Sequence, residues 1–176
     1  MNYFPKINRW RLPEALFKQS LAEMAIDGQR EHEGTCFWLG QRANGEAQVS
    51  HWVILRGSGV RKGPLNIQIS AELMREMHER AEASGLTLLG QIHSHSSRCG
   101  VDMSASDHAY GVSVPFFMSV ICPDFAQDSN TTIFDCGVHV FLPQMGYVRL
   151  SRKQVQQKLI LVPGMAGGTI IVGGNL

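Results

Sequence analysis

The sequence predicts an α/β domain, a sandwich built around a mixed β-sheet flanked by helices. Two stretches, residues 13–26 and 71–83, carry helical signals, and apolar strand-like runs lie before, between and after them. One of those runs, residues 86–92 (LTLLGQI), is almost continuously apolar, as expected of a strand buried on both faces. The order helix, strands, helix, strand, short helix, strands alternates within 176 residues, the size of a single domain.

Taking the elements in order, Pro13 suits a first helical turn, and Phe17, Leu21 and Met24 recur at i, i+4 and i+7 on one face before Asp27-Gly28 ends the helix. Residues 35–40 (TCFWLG) read as a buried strand. Asn44-Gly45 is a strong hairpin signal and pairs that strand with residues 47–56. Residues 57–64 form a Gly-rich connection and residues 65–69 a short extended segment. Ser70 is placed to cap the helix 71–83, which Ser84-Gly85 stops. After the strand 86–92 come a loop over 96–103 and a short helix from Ser104 to about Val112. Strands are expected at 116–122, 131–142 and 147–150, and a helical segment at 153–160. The domain is expected to span residues 1–163. The Gly-rich tail, 164–176, is expected to be flexible or to dock only with a partner.

The hydrophobic fraction of 44% suits one buried core. Lys+Arg (16) nearly balance Asp+Glu (15), giving a formal net charge of +1, which argues against nucleic acid or an anionic membrane surface as a partner. No apolar run reaches the roughly 18–20 residues that span a bilayer. Met1 to Lys6 lack an apolar signal core, so a cytoplasmic location is expected. Cys36, Cys99, Cys122 and Cys136 contain no C-x-x-C pair, so reduced thiols are expected rather than a structural zinc knuckle.

The chemistry concentrates at His93-Ser94-His95. On an extended backbone residues i and i+2 face the same side, so both imidazoles can reach one metal ion. Asp107 follows at the start of the next helix, where free backbone N–H groups and the helix dipole favour a carboxylate. Two His and one Asp leave the fourth tetrahedral position open, the arrangement of a catalytic rather than a structural zinc. Cys99 lies in the intervening loop and reads as a nucleophile, a fourth metal ligand, a redox brake or, more simply, a bare loop cysteine.

His93-Ser94-His95, then Ser104-Ala105-Ser106-Asp107, with Glu33-Gly34-Thr35-Cys36-Phe37-Trp38-Leu39-Gly40 upstream, resemble the JAMM (MPN+) zinc metallopeptidases. Their motif is a Glu on an early segment, H-[ST]-H, a loop and S-x-x-D. The resemblance extends over residues 12–150. Two departures stand out: Ser96 occupies the position that is usually Pro, and the loop 96–103 is one residue longer than is common.

The resemblance implies a cytidine-deaminase-like (JAMM/MPN) sandwich and one zinc ion per chain, Zn2+, held by His93, His95 and Asp107. It implies that Glu33 takes a proton from the attacking water and passes it to the leaving amine, with Glu31 as the fallback base. Ser104 would hydrogen-bond the oxyanion, and it also reads as a plain helix N-cap. The implied reaction is hydrolysis of the peptide or isopeptide bond after the C-terminal glycine of a ubiquitin-like protein, by deconjugation or precursor trimming. The compact chain is most similar to the prokaryotic stand-alone, deubiquitinase-like type. Its partners would be a ubiquitin-like protein or its conjugates and activating-like and conjugating-like enzymes; a bacterial antiphage (antiviral defence) conjugation system is one setting. Three alternatives stay open: processing of a sulfur-carrier protein in cysteine or cofactor synthesis, a non-catalytic MPN scaffold, and the JAMM-like domain of the RadC group once linked to DNA repair, which the charge balance does not support.

Overall fold

The structure, a computed structural model, describes residues 6–174. The expectation placed on the N-terminal hexapeptide therefore falls, apart from Lys6, outside the described residues. In chain order the elements are β1 (Arg9–Pro13), α1 (Glu14–Gly28), β2 (Thr35–Ala43), β3 (Glu46–Leu55), β4 (Val60–Lys62), β5 (Ile67–Ile69), α2 (Ala71–Ala83), β6 (Thr87–Ser94) and α3 (Ala105–Tyr110). There follow β7 (Met118–Cys122), β8 (Gly137–Leu142), β9 (Gly146–Arg149), α4 (Arg152–Lys158), β10 (Leu159–Val162) and β11 (Gly168–Val172).

Among the described residues, nine strands form one mixed sheet in the order β10-β1-β3-β2-β6-β7-β8-β9, with β11 pairing β3. The β2–β3 hairpin turns at Asn44-Gly45, both at positive φ, as the dipeptide predicts. β6 pairs β2 antiparallel and β7 parallel, which places it in the middle of the sheet. That position explains its largely apolar sequence, because most of both faces is covered.

Period-two alternation divides β2 between two cores. Cys36 and Trp38 pack with Leu16, Phe17, Leu21 and Met24 of α1, whereas Phe37 and Leu39 pack with Leu73, Met77 and Ala81 of α2. The buried Trp38 indole donates to Ser20 Oγ at 3.1 Å, and Ser20 donates to the Leu16 carbonyl at 2.8 Å, so no polar group is stranded there. α2 starts at Ser70, whose Oγ accepts the Leu73 N–H. β6 carries a bulge: Leu39 pairs with Leu88 and Trp38 with Gly90, leaving Leu89 as the extra residue. The bulge reverses the alternation, so that Ile92 joins the α1 core and Gln91 and His93 turn to the α2 face, where a cleft opens.

Several expectations change. β11 corrects the flexible tail: it pairs with β3 in register from Gly168↔His51 to Val172↔Leu55, Trp52 Nε1 donates to Thr169 Oγ1 at 2.8 Å, and Val172 is buried. The last two residues of that tail lie outside the described residues. A Cβ at Gly168 would strike the His51 ring, which would have to move aside. β1 and β10 were not expected. They pair in parallel, and β10 takes over the end of the segment read as helix over 153–160. β4 lies inside the expected connection 57–64 and forms a two-stranded ribbon with β5. Residues 131–136 are turn rather than strand, because Asp135 Oδ2 accepts both the N–H and the hydroxyl of Thr132. Among the described residues no helix is long and apolar enough to cross a membrane. All four cysteines are unpaired; Cys99 is exposed and the other three are buried.

Candidate metal centre

His93 is the last residue but one of β6, and His95 stands one residue beyond the strand. Their Nε2 atoms are 3.2 Å apart. Asp107, the third residue of α3, brings Oδ1 to 3.4 Å from His93 Nε2 and Oδ2 to 3.2 Å from His95 Nε2. These three residues are the group of metal-capable side chains found among the described residues. Zinc bonds of 2.0–2.1 Å at tetrahedral angles put neighbouring ligand atoms about 3.3 Å apart, so the donor set fits such an ion in both spacing and chemistry.

Two of the three candidate ligands, His95 and Asp107, are braced by hydrogen bonds. The His95 N–H donates to the Cys122 carbonyl at 2.9 Å, and its own carbonyl accepts the Phe125 N–H at 2.8 Å. Nδ1 of His95 lies 3.2 Å from the Gly100 carbonyl, which can only accept; Nδ1 therefore carries a proton, and Nε2 is the nitrogen that a metal would take once its own proton leaves. His93 Nδ1 is buried with no hydrogen-bond partner among the described residues. The bond to His95 comes from a turn in which Asp124, Phe125 and Ala126 all have positive φ. Such residues cost roughly 1–2 kcal/mol each and persist only where their surroundings enforce them. Here Ala126 is buried, and Gln127 Nε2 donates to the Gly28 carbonyl at 2.5 Å, tying the turn to the end of α1.

The loop 96–103 meets β8 at Val101, whose carbonyl oxygen a Cβ at Gly137 would strike. Asp102 and Arg149 pair at 2.5 Å and pin its far end. Asp107 is fixed by a capping box: Oδ2 accepts both the N–H and the hydroxyl of Ser104 at 2.7 Å, and the Asp107 N–H donates back to Ser104 Oγ at 3.1 Å. Burial pushes the Asp107 carboxyl up, but the hydrogen bonds from His93, His95 and Ser104 outweigh it and hold it far below the usual carboxylate range. Burial disfavours protonated His95, yet its bond to Asp107 raises it above the ordinary histidine value.

Glu33 lies in the same cleft, together with His93 and Asp107, and is only 5% exposed. Burial raises its pKa to about 7; the charge on His95 lowers it and that on Asp107 raises it. The cleft encloses about 480 Å³. One wall is the β4–β5 ribbon with Met74, and another is the end of α3 running into Gly111-Val112. Tyr147 supports the second wall by donating its hydroxyl to the Val112 carbonyl at 2.7 Å.

The structure thus brings together His93, His95, Asp107 and Glu33. Ser104 stands behind Asp107 and does not line the cleft, whereas Ser106, whose Oγ is 2.9 Å from Ser104 Oγ, does. Glu31 is an exposed turn residue at positive φ, away from the cleft lining. Cys99 is outside the metal-capable group, and its Sγ accepts the Ser96 hydroxyl at 3.2 Å. Gln91, Thr35 and Tyr147 escaped the sequence reading, since nothing local distinguishes them from ordinary strand residues.

Fold and site together define an α/β domain with a candidate three-ligand metal centre. No protein-family profile matches the chain. The protein described as "Probable metalloprotease y4jG" from Sinorhizobium fredii (strain NBRC 101917 / NGR234) is 29% identical over 119 residues, which cover 66% of this chain and 72% of that one. The solution structure of protein DSY2949 from Desulfitobacterium hafniense matches with a TM-score of 0.60 and 15% identity, covering 89% of this chain and 94% of that one. That likeness concerns the fold alone.

Proposed function

We propose that this chain is a zinc metallopeptidase of the JAMM type that hydrolyses the peptide or isopeptide bond after the C-terminal glycine of a ubiquitin-like protein. One observation carries the reading: three ligand atoms spaced for a tetrahedral ion share a cleft with a buried carboxylate whose pKa is raised to about 7. The metalloprotease name of the relative supports the coarser part, a metal-dependent peptidase.

His93, His95 and Asp107 would hold the ion. When bound, zinc supplies Lewis acidity that polarises the scissile carbonyl and lowers the pKa of water. Glu33 takes the proton of the attacking water and delivers it to the leaving amine. Ser104 donates to the oxyanion once its hydroxyl swings away from Asp107 Oδ2. Phe37, Ile67, Ile69, Met74 and Val112 give the cleft apolar walls that suit an extended tail leading to the scissile glycine.

The test is metal analysis of the purified chain together with cleavage of fusions to a panel of ubiquitin-like and sulfur-carrier proteins. About one zinc per chain, and cleavage after the terminal glycine that a chelator abolishes, are expected. Cleavage indifferent to chelation contradicts the metal mechanism. Cleavage confined to sulfur-carrier fusions moves the function to biosynthesis.

A further inference from the structure

Ser94 sits between the two ligand histidines, and its side chain leaves the strand on the opposite side from theirs. It is fully buried. Its Oγ accepts the Gly34 N–H at 2.9 Å, and its own N–H donates to the Gly34 carbonyl at 3.0 Å. The β2–β6 ladder ends at Thr35↔His93, so the Ser94 hydroxyl serves as acceptor where the ladder has run out. Gly34 also lets α1 pack closely against this segment, because a Cβ there would lie 2.7 Å from Met24 Cα and Cβ. On its other side the same segment is held by the Glu33 N–H, which donates to the Gly63 carbonyl at 2.8 Å. Glu33 is therefore suspended between the β4–β5 ribbon and the ligand strand.

We infer that Ser94 is a positioning residue: its hydroxyl, through Gly34, sets the place of the Glu33 carboxylate relative to His93 and His95. This rests on the reading of Glu33 as the base. If the hydroxyl is removed, the Gly34 N–H becomes a buried donor without its acceptor, and the segment must shift to find another. A shift of about 1 Å at a reacting group can lower turnover about 100-fold. His95 is held by its own bonds to Cys122, Phe125 and Gly100, and the His93 backbone by its ladder pairing with Thr35 and Ile121, none of which uses the hydroxyl.

Ser94→Ala and Ser94→Thr, made in the full chain, test this. Zinc affinity is measured by chelator competition, kcat and KM on a cleavable ubiquitin-like fusion, and hydrogen exchange at the Gly34 amide. For Ser94→Ala the expected result is zinc affinity within about threefold of wild type, KM little changed, kcat lower by about 10–100-fold and faster exchange at Gly34. Ser94→Thr, which keeps a hydroxyl, restores most of the kcat. Unchanged kcat in Ser94→Ala overturns the inference, as does a loss of kcat that only follows a loss of zinc. If wild type binds zinc but cleaves no fusion, the functional reading fails; Gly34 exchange still decides whether Ser94 holds the segment, and unchanged exchange in Ser94→Ala overturns the clamp.

Discussion

His93 and His95 aim their Nε2 atoms at one point from 3.2 Å apart, and the Asp107 carboxylate faces that same point. Two neutral imidazoles gain little from such an approach, whereas a shared cation reconciles all three groups. Removing one ligand should therefore cost the ion. His95→Ala is expected to lower zinc content from about one per chain to near none while leaving the fold in place, as read by metal analysis and circular dichroism.

As the proposed base, Glu33 offers a way to separate metal binding from turnover. Glu33→Gln is expected to keep zinc and to lose hydrolysis by at least about 100-fold, measured on the same fusion as wild type. Retained turnover would place the base elsewhere.

The same residue gives a pH signature in the metal-free protein. Its pKa rises on folding from an ordinary 4.5 to about 7, so its contribution to stability is complete below 4.5 and is lost as pH climbs through 7. Relative to wild type, Glu33→Gln should gain about 1–3 kcal/mol of metal-free stability between pH 5 and pH 8. Denaturant titrations at the two pH values read this directly, and equal differences at both would refute the buried carboxylate.

Gly137 supports His95 from a distance. Gly137→Ala should lift the Val101 carbonyl, draw the Gly100 carbonyl off His95 Nδ1 and weaken zinc binding about 10–100-fold, measurable by chelator competition.

The C-terminal strand is expected to behave as core. Val172→Ala should cost about 1–3 kcal/mol, where a mobile tail would tolerate it freely. Thermal unfolding distinguishes the two.

The sequence made some of this legible and hid the rest for definite reasons. α1, α2 and the Asn44-Gly45 hairpin could be read because their signals are local: a cap, a helical period, a turn dipeptide. The candidate metal-binding group could be read because His93, His95 and Asp107 fall in one short window. β1, β10 and β11 could not, since each is five residues or fewer and is defined by a partner far along the chain. The bulge at Leu89 leaves no mark in an apolar run, yet it decides which face His93 takes. The braces are likewise non-local: Ser94 meets Gly34 across 60 positions, and Gln127 meets Gly28 across 99. Thr131 to Cys136 misled because β-branched residues suggested a strand where Asp135 closes a turn.

X-ray absorption at the zinc edge of the loaded protein tests the metal centre most directly. A first shell of nitrogen and oxygen at about 2.0–2.1 Å, with the signature of two imidazoles that falls to one in His95→Ala, is the predicted result. A sulfur neighbour at about 2.3 Å would instead put Cys99 on the metal, and a spectrum unchanged in His95→Ala would place the ion at another site.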